Sequence, residues 1–133
     1  MSASDRHASV RYVVDDVHAS VAFYTAHLGF TLYGGAAPAF ADVVRGPLRL
    51  LLSGPASSGA RATPADAAGP GRNRIHLEVA DLDAEIARLR AAGLSFRGAV
   101  VSGPGGRQVL LPDPSGNLVE LFEPAARPPA PAS

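Results

Sequence analysis

In the stretch GRNRIHLEVADL, residues 71–82, an arginine, a histidine and a glutamate recur at every second position. If this is a strand, Arg74, His76 and Glu78 project from one face and Ile75, Leu77 and Val79 from the other. A neutral imidazole can donate, accept or ligate near pH 7, and a carboxylate can ligate or act as a base. An arginine cannot ligate, but it forks onto carboxylates and other oxyanions. A second carboxylate follows in NLVELFE, where Glu120 and Phe122 share a face two residues apart. Near the N-terminus His7, Ser9 and Arg11 also alternate. These sets allow three kinds of chemistry: a metal centre, acid/base catalysis, or recognition of a polar group on a ligand.

The elements that must hold these residues occur twice. Residues 9–30 slid onto residues 74–96 by 65 positions align Val14 with Val79, Asp16 with Asp81, Ala19 with Ala84, Ala22 with Ala87 and Ala26 with Ala91. Val10, Val17 and Val21 fall on Ile75, Leu82 and Ile86, and a one-residue gap brings Gly29 onto Gly93. The register preserves strand, cap and apolar stripe together, which marks an internal repeat. Each copy reads as a strand, an Asp N-cap and a helix ended by glycine. The first helix is predicted to bury Val17, Val21, Tyr24 and Leu28, and the second Leu82, Ile86 and Leu89. Three short strands follow each helix: FTLYG, AFADVVRG and LRLLLS in the first copy, LSFRGAVV, RQVLLPD and NLVELFE in the second. Gly46-Pro47 and Asp113 to Gly116 supply turns.

The expectation is therefore one α+β domain over residues 1–133, with βαβββ modules at 8–52 and 74–124. The intervening 53–73 is rich in Gly, Pro, Ala and Ser without a hydrophobic period, and reads as a flexible connector or a binding loop. The end, 125–133, reads as a disordered tail. Hydrophobic content of 47% and charged content of 18% fit a soluble globular chain. Net charge is zero and every basic residue is arginine, so nothing favours nucleic acid or an anionic membrane. Without cysteine there is no disulfide, thiolate centre or cysteine nucleophile. No apolar run reaches membrane-spanning length, and the start lacks a signal-peptide pattern, giving a cytoplasmic expectation.

FYTAHLGF after the first strand, DPSGNLVELFEP at the end and the duplicated unit between them resemble the vicinal oxygen chelate superfamily. This group contains glyoxalases, extradiol dioxygenases, fosfomycin-resistance enzymes and bleomycin-resistance proteins. The resemblance covers about residues 8–124. It implies a curved sheet whose concave face encloses the site, and pairing into homodimers, sometimes with exchanged modules. Where members bind a metal, the ligands come from the first strand of each unit and from the glutamate of the closing strand. Those places fall on Ser9, Arg74 and Glu120.

Only Glu120 is a competent ligand there, because a serine hydroxyl is a poor donor to a divalent transition metal and a guanidinium has no lone pair to give. A shifted set of His7, His76 and Glu120 is the alternative, although each histidine lies about 6–7 Å along its strand from the family's place. The expectation is thus a protein without cofactor or metal, resembling the bleomycin-resistance branch. It would sequester a hydrophobic or aromatic small molecule, such as an antibiotic. Ser9, Arg11, Arg74, His76 and Glu120 are the candidate polar contacts, with Phe122 and Phe40 as aromatic ones. Phe96 and Tyr33 are placed in the sheet, Tyr12 and Tyr24 between sheet and helix, and His7, His18 and His27 toward solvent. The alternative function is an atypical glyoxalase- or dioxygenase-like enzyme that uses the shifted metal set or acid/base chemistry of His76 with Glu120.

Overall fold

The computed structural model describes residues 7–35, 38–67 and 69–126. Strand β1 (Ala8–Val13) leads into helix α1 (Val17–His27), then β2 (Thr31–Gly34), β3 (Phe40–Arg45) and β4 (Leu48–Ser53). The second copy runs β5 (Ile75–Glu78), helix α3 (Leu82–Ala91), β6 (Arg97–Gly103), β7 (Gly106–Pro112) and β8 (Leu118–Pro124). Each copy forms a four-stranded mixed sheet, ordered β1-β4-β3-β2 and β5-β8-β7-β6. In both, the closing strand returns to lie parallel to the first, and the other pairings are antiparallel. This is the expected α+β architecture of paired βαβββ units. Among the described residues, no helix is long and apolar enough to cross a membrane.

The helices start and stop where their side chains dictate. The carboxylates of Asp16 and Asp81 accept from the backbone N–H groups of Ala19 and Ala84, each at 3.0 Å, satisfying one orphan donor per helix. Gly29 and Gly93 follow the helices with φ of 73° and 87°, a region that costs other residues energy. Leu82, Ile86 and Leu89 form the buried stripe of α3 as expected. On α1 the buried set is Val17, Ser20, Phe23 and Tyr24, with Leu28 just beyond, and Val21 sits at the margin. Ser20 can occupy the inner face because its hydroxyl donates to the carbonyl of Asp16 at 2.8 Å, so no polar atom is buried unpaired.

The chain divides into two compact units, residues 1–73 with 113–117, and residues 74–112 with 118–133. The core of the first holds Val14, Val17, Tyr24, Val43, Leu50 and Leu52, all 2% exposed or less. That of the second holds Leu82, Leu89, Leu111, Val119 and Leu121. The segment 53–73 carries more structure than its composition announced. It opens with the last residue of β4, then folds into a short helix α2 (Ser58–Arg61) and a 3-10 turn at Ala65–Ala67. Ser57 is the reason: it is buried, donates to the carbonyl of Gly54 at 2.7 Å and accepts from the N–H of Ala60 at 3.1 Å. Of the expected tail, residues 127–133 lie outside the described residues.

The turn 113–117 is bound into the first unit by a buried polar network. The Tyr24 phenol donates to Asp113 Oδ2 at 2.9 Å, while Asp113 Oδ1 accepts from the N–H groups of Ser115 and Asn117. Asn117 Nδ2 donates to the carbonyl of Val13 at 3.1 Å. Burial pushes the Asp113 carboxyl above the usual carboxylate range, against the pull of Asn117, Tyr24 and Ser115. Burial, reinforced by the Asp113 carboxylate, raises the Tyr24 phenol, so it remains a donor at all working pH values.

Two expectations follow for chemical or thermal unfolding. Asp113→Ala strands several buried donors and costs about 2–4 kcal/mol, whereas Tyr24→Phe removes one donor and costs about 1–2 kcal/mol. Because the folded-state pKa of Asp113 is raised, its titration favours folding below the ordinary carboxylate range and loses that contribution as pH rises through the folded value. Tyr24→Phe removes a group that holds this pKa down, so its deficit is largest at neutral pH and shrinks on acidification. A deficit that grows toward acid would contradict this role.

Candidate functional site

Alternation along the first and closing strand of each unit buries one set of apolar residues and turns the residues between them to the opposite face. In the second unit this face carries a cluster around Glu120. The register pairs His76 with Glu120 and Glu78 with Phe122. Glu120 is only 8% exposed, which requires partners for its charge. Arg74, one residue before β5 begins, donates from Nε to Glu120 Oε1 at 2.9 Å. His76 Nε2 stands 3.5 Å from the other oxygen, Oε2. The imidazole also leans on Phe122, with ring centroids 4.9 Å apart and planes inclined at 41°. Arg74 and His76 are partly exposed and Phe122 is half-buried, so one carboxylate is held beneath two cationic or ionisable groups and an aromatic ring that solvent can reach.

The corresponding face of the first unit is built differently. Ser9 is exposed and pairs in register with Arg49. Arg49 Nε donates to Asp42 at 2.5 Å, and its guanidinium sits 5.6 Å from the centroid of the Tyr33 ring. Asp42 is 2% exposed, so this ion pair answers the same burial demand that Arg74 meets for Glu120. Arg11 occupies the place in its unit that His76 occupies in the other. Its Nη1 donates to Ser53 Oγ at 2.7 Å. Phe40 lies across the strand pair from Ser53. Arg11 and Phe40, with Ala39 and the Ala56–Gly59 and Arg61 portion of the connector, line a cleft of about 470 Å³.

The structure therefore brings together Arg74, His76, Glu120 and Phe122 in one unit, and Arg11 with Phe40 in the other. Tyr12 and Tyr24 lie between sheet and helix as expected. Tyr33 is 50% exposed on the edge strand β2. Phe96 precedes β6 rather than lying in it, and sits under the Arg90 guanidinium at 5.7 Å. His7 is half-buried with its ring edge against Tyr33 at 5.3 Å, because the exposed tyrosine gives it an apolar neighbour. His18 is exposed, and His27 packs against Phe23. Sequence reasoning missed Asp42, Arg49, Ser53 and Arg61. The first two were available in principle, since a charge in the middle of the apolar strand AFADVVRG demands a partner; Arg61 was hidden in a segment without periodicity.

The residues at the metal-binding places do not fit a metal ion. The serine is a weak donor, the arginine is a fixed cation, and the glutamate is already bonded to that arginine. Among the described residues, no three His, Asp or Glu side chains stand close enough to hold an ion.

Twin βαβββ units with closing strands parallel to their first strands define a duplicated α+β fold that carries polar clusters on its sheet faces. The chain belongs to the glyoxalase/bleomycin resistance protein/dioxygenase superfamily, whose family model matches residues 6–121. Among solved structures it is similar to a lactoylglutathione lyase from Agrobacterium tumefaciens, with 26% identity and a TM-score of 0.70 over 86% of this chain and 90% of that one. It is similar to TioX from Micromonospora sp. ML1, at 25% identity, a TM-score of 0.69 and coverage of 90% and 98%. TnmS3, an antibiotic-binding protein from Streptomyces sp. CB03234, shares the fold at 24% identity, a TM-score of 0.69 and coverage of 90% and 95%. No curated protein matches the sequence.

The Glu120 cluster yields a direct expectation. Arg74→Ala leaves a nearly buried carboxylate with only His76 nearby, and unfolding measurements should show a loss of about 1–2 kcal/mol, the partial exposure of Arg74 keeping it below the cost of breaking a fully buried pair. Adding Glu120→Gln to that variant should recover part of the loss, since no unpaired charge then remains. A double variant less stable than Arg74→Ala would show that the ion pair is not what satisfies Glu120.

Proposed function

We propose that this chain is a metal-independent small-molecule-binding protein of the bleomycin-resistance type, holding a hydrophobic or aromatic compound such as an antibiotic without turning it over. The carrying observation is the 2.9 Å bond from Arg74 to Glu120, which places a fixed positive charge where the family's metal enzymes need a lone pair. The fold itself is neutral on the question, since it is shared with both a lyase and an antibiotic-binding protein. The residues support the binding reading, since they offer stacking surface and hydrogen-bond donors and little of a coordination sphere. In the second unit Phe122 supplies apolar area and Arg74 and His76 polar contacts; in the first, Phe40 supplies apolar area and Arg11 a polar contact, with Ser9 at the margin.

Pairing of two copies and residence in the cytoplasm belong to the same proposal. A second reading rests on one observation, the 3.5 Å approach of His76 to the buried Glu120. That pair could move a proton to or from a bound substrate, the carboxylate orienting the imidazole. The glyoxalase-like alternative would then run on acid/base chemistry without an ion.

Protein purified without chelator should contain well under 0.1 divalent metal ion per chain by elemental analysis, and a library of polycyclic natural products should include compounds that raise its melting temperature. About one Zn, Fe, Mn or Ni per chain would overturn the proposal. Turnover of a bound compound that is abolished by both His76→Ala and Glu120→Gln would establish the acid/base reading in its place.

A further inference from the structure

The first unit's cleft has an unusual charge balance. Its walls are Arg11, Arg61, Phe40, Ser57, Ser58 and Gly59, with two alanines, and contain two guanidinium groups and no carboxylate. A carboxylate that shares the face of Arg11 is Asp42, which, like Arg11, is in register with Leu51. Arg49 already occupies that carboxylate. Among the described residues, Arg11 has only the neutral Ser53 hydroxyl as a partner, and Arg61 has neither a salt bridge nor a side-chain hydrogen bond. Arg11 and Arg61 are both exposed and so remain solvated, and an anion seated between them would find two cations and several guanidinium donors on one cleft with no protein carboxylate competing for them.

Arg11 is exposed, yet its guanidinium is contacted from two sides. A methyl group added to Gly59 would overlap the Arg11 guanidinium, so α2 approaches the arginine as closely as a residue without a side chain allows. Ser53 fixes Nη1 from the other side at 2.7 Å. The aromatic wall is Phe40, half-buried and directly across the strand pair from Ser53. A volume of about 470 Å³ accommodates a small multi-ring compound.

We propose that this cleft seats the acidic end of an aromatic acid, with Arg11 and Arg61 receiving the carboxylate and Phe40 packing on the ring. The inference rests on the small-molecule-binding reading and narrows the ligand to planar acids. It also gives the 53–73 segment a role: it delivers Arg61 and presses Gly59 onto Arg11, acting as one wall of the site.

The test compares 2-naphthoate with its neutral isostere 2-naphthamide, by isothermal titration calorimetry at pH 7. The native protein should bind the acid at least tenfold more tightly than the amide. Arg11→Gln and Arg61→Gln should each weaken the acid by about tenfold and leave the amide unchanged. Gly59→Ala should also weaken the acid, by displacing the guanidinium, while keeping the melting temperature, because alanine is the better helix former. Arg97→Gln, an exposed arginine of the second unit, should change nothing and so controls for net charge. Equal affinity for acid and amide would overturn the acid seat while leaving the binding reading intact. A preference that persists in the Arg11→Gln/Arg61→Gln variant, or disappears in Arg74→Ala, would place the acid elsewhere and also overturn it. Binding of neither probe, together with metal in the purified protein, would remove both readings.

Discussion

The parity of the strands governs everything else in this protein. Each closing strand must lie beside the first strand of its unit with Leu50 and Leu52, or Val119 and Leu121, turned under the helix. Slipping either pairing by one residue would carry those side chains into water and bring charge into the core. The same constraint fixes what appears on the opposite face. Once Val119 and Leu121 are inside, Glu120 has to point out beside His76, and once Leu50 and Leu52 are inside, Arg49 lies level with Ser9. The polar clusters are thus consequences of how the cores are buried.

Within that frame the two units solve one electrostatic problem with different residues. Each has a nearly buried carboxylate on its polar face, Asp42 or Glu120, and each covers it with an arginine through Nε. In one unit the arginine comes from the closing strand, in the other from the residue that precedes the first strand. The exchange has an effect on neighbouring positions. Where Arg74 covers Glu120, the adjacent imidazole meets an aromatic ring; where Arg49 covers Asp42, Arg11 is left without a carboxylate and turns to a serine. A duplicated scaffold thereby offers two chemically distinct surfaces, one anion-centred and covered, one cationic and open.

Much of the architecture was legible in the sequence because the signals are local. Asp16 and Asp81 announce caps, Gly29 and Gly93 announce stops, and the 65-residue offset repeats both. Parity placed Arg74 with His76 and Glu120 with Phe122, and the family resemblance brought the two strands together. What stayed hidden depends on pairing between strands. That Arg49 would reach Asp42 follows from the antiparallel register of β3 on β4, which no periodicity encodes. On α1, Ser20 and Phe23 join the buried set while Val21 stays at its margin, and Ser20 can do so because its hydroxyl is satisfied by the Asp16 carbonyl. The order in 53–73 arises from one buried serine, a signal too small to stand out among Gly, Pro and Ala.

The turn 113–117 has a consequence for how the protein comes into being. It is encoded inside the second copy of the repeat but counted within the first unit, where it satisfies Tyr24 across a sequence separation of 89 residues. The duplicated halves are therefore not interchangeable beads on a string. As the chain leaves the ribosome, the first βαβββ unit is fully synthesised long before the acceptor for its buried phenol exists, and it must wait for most of the second copy to be translated before its core is complete. The short DPSGN turn so couples the folding of the two halves in time, and a gene cut between them would yield a first half missing a piece of its own interior.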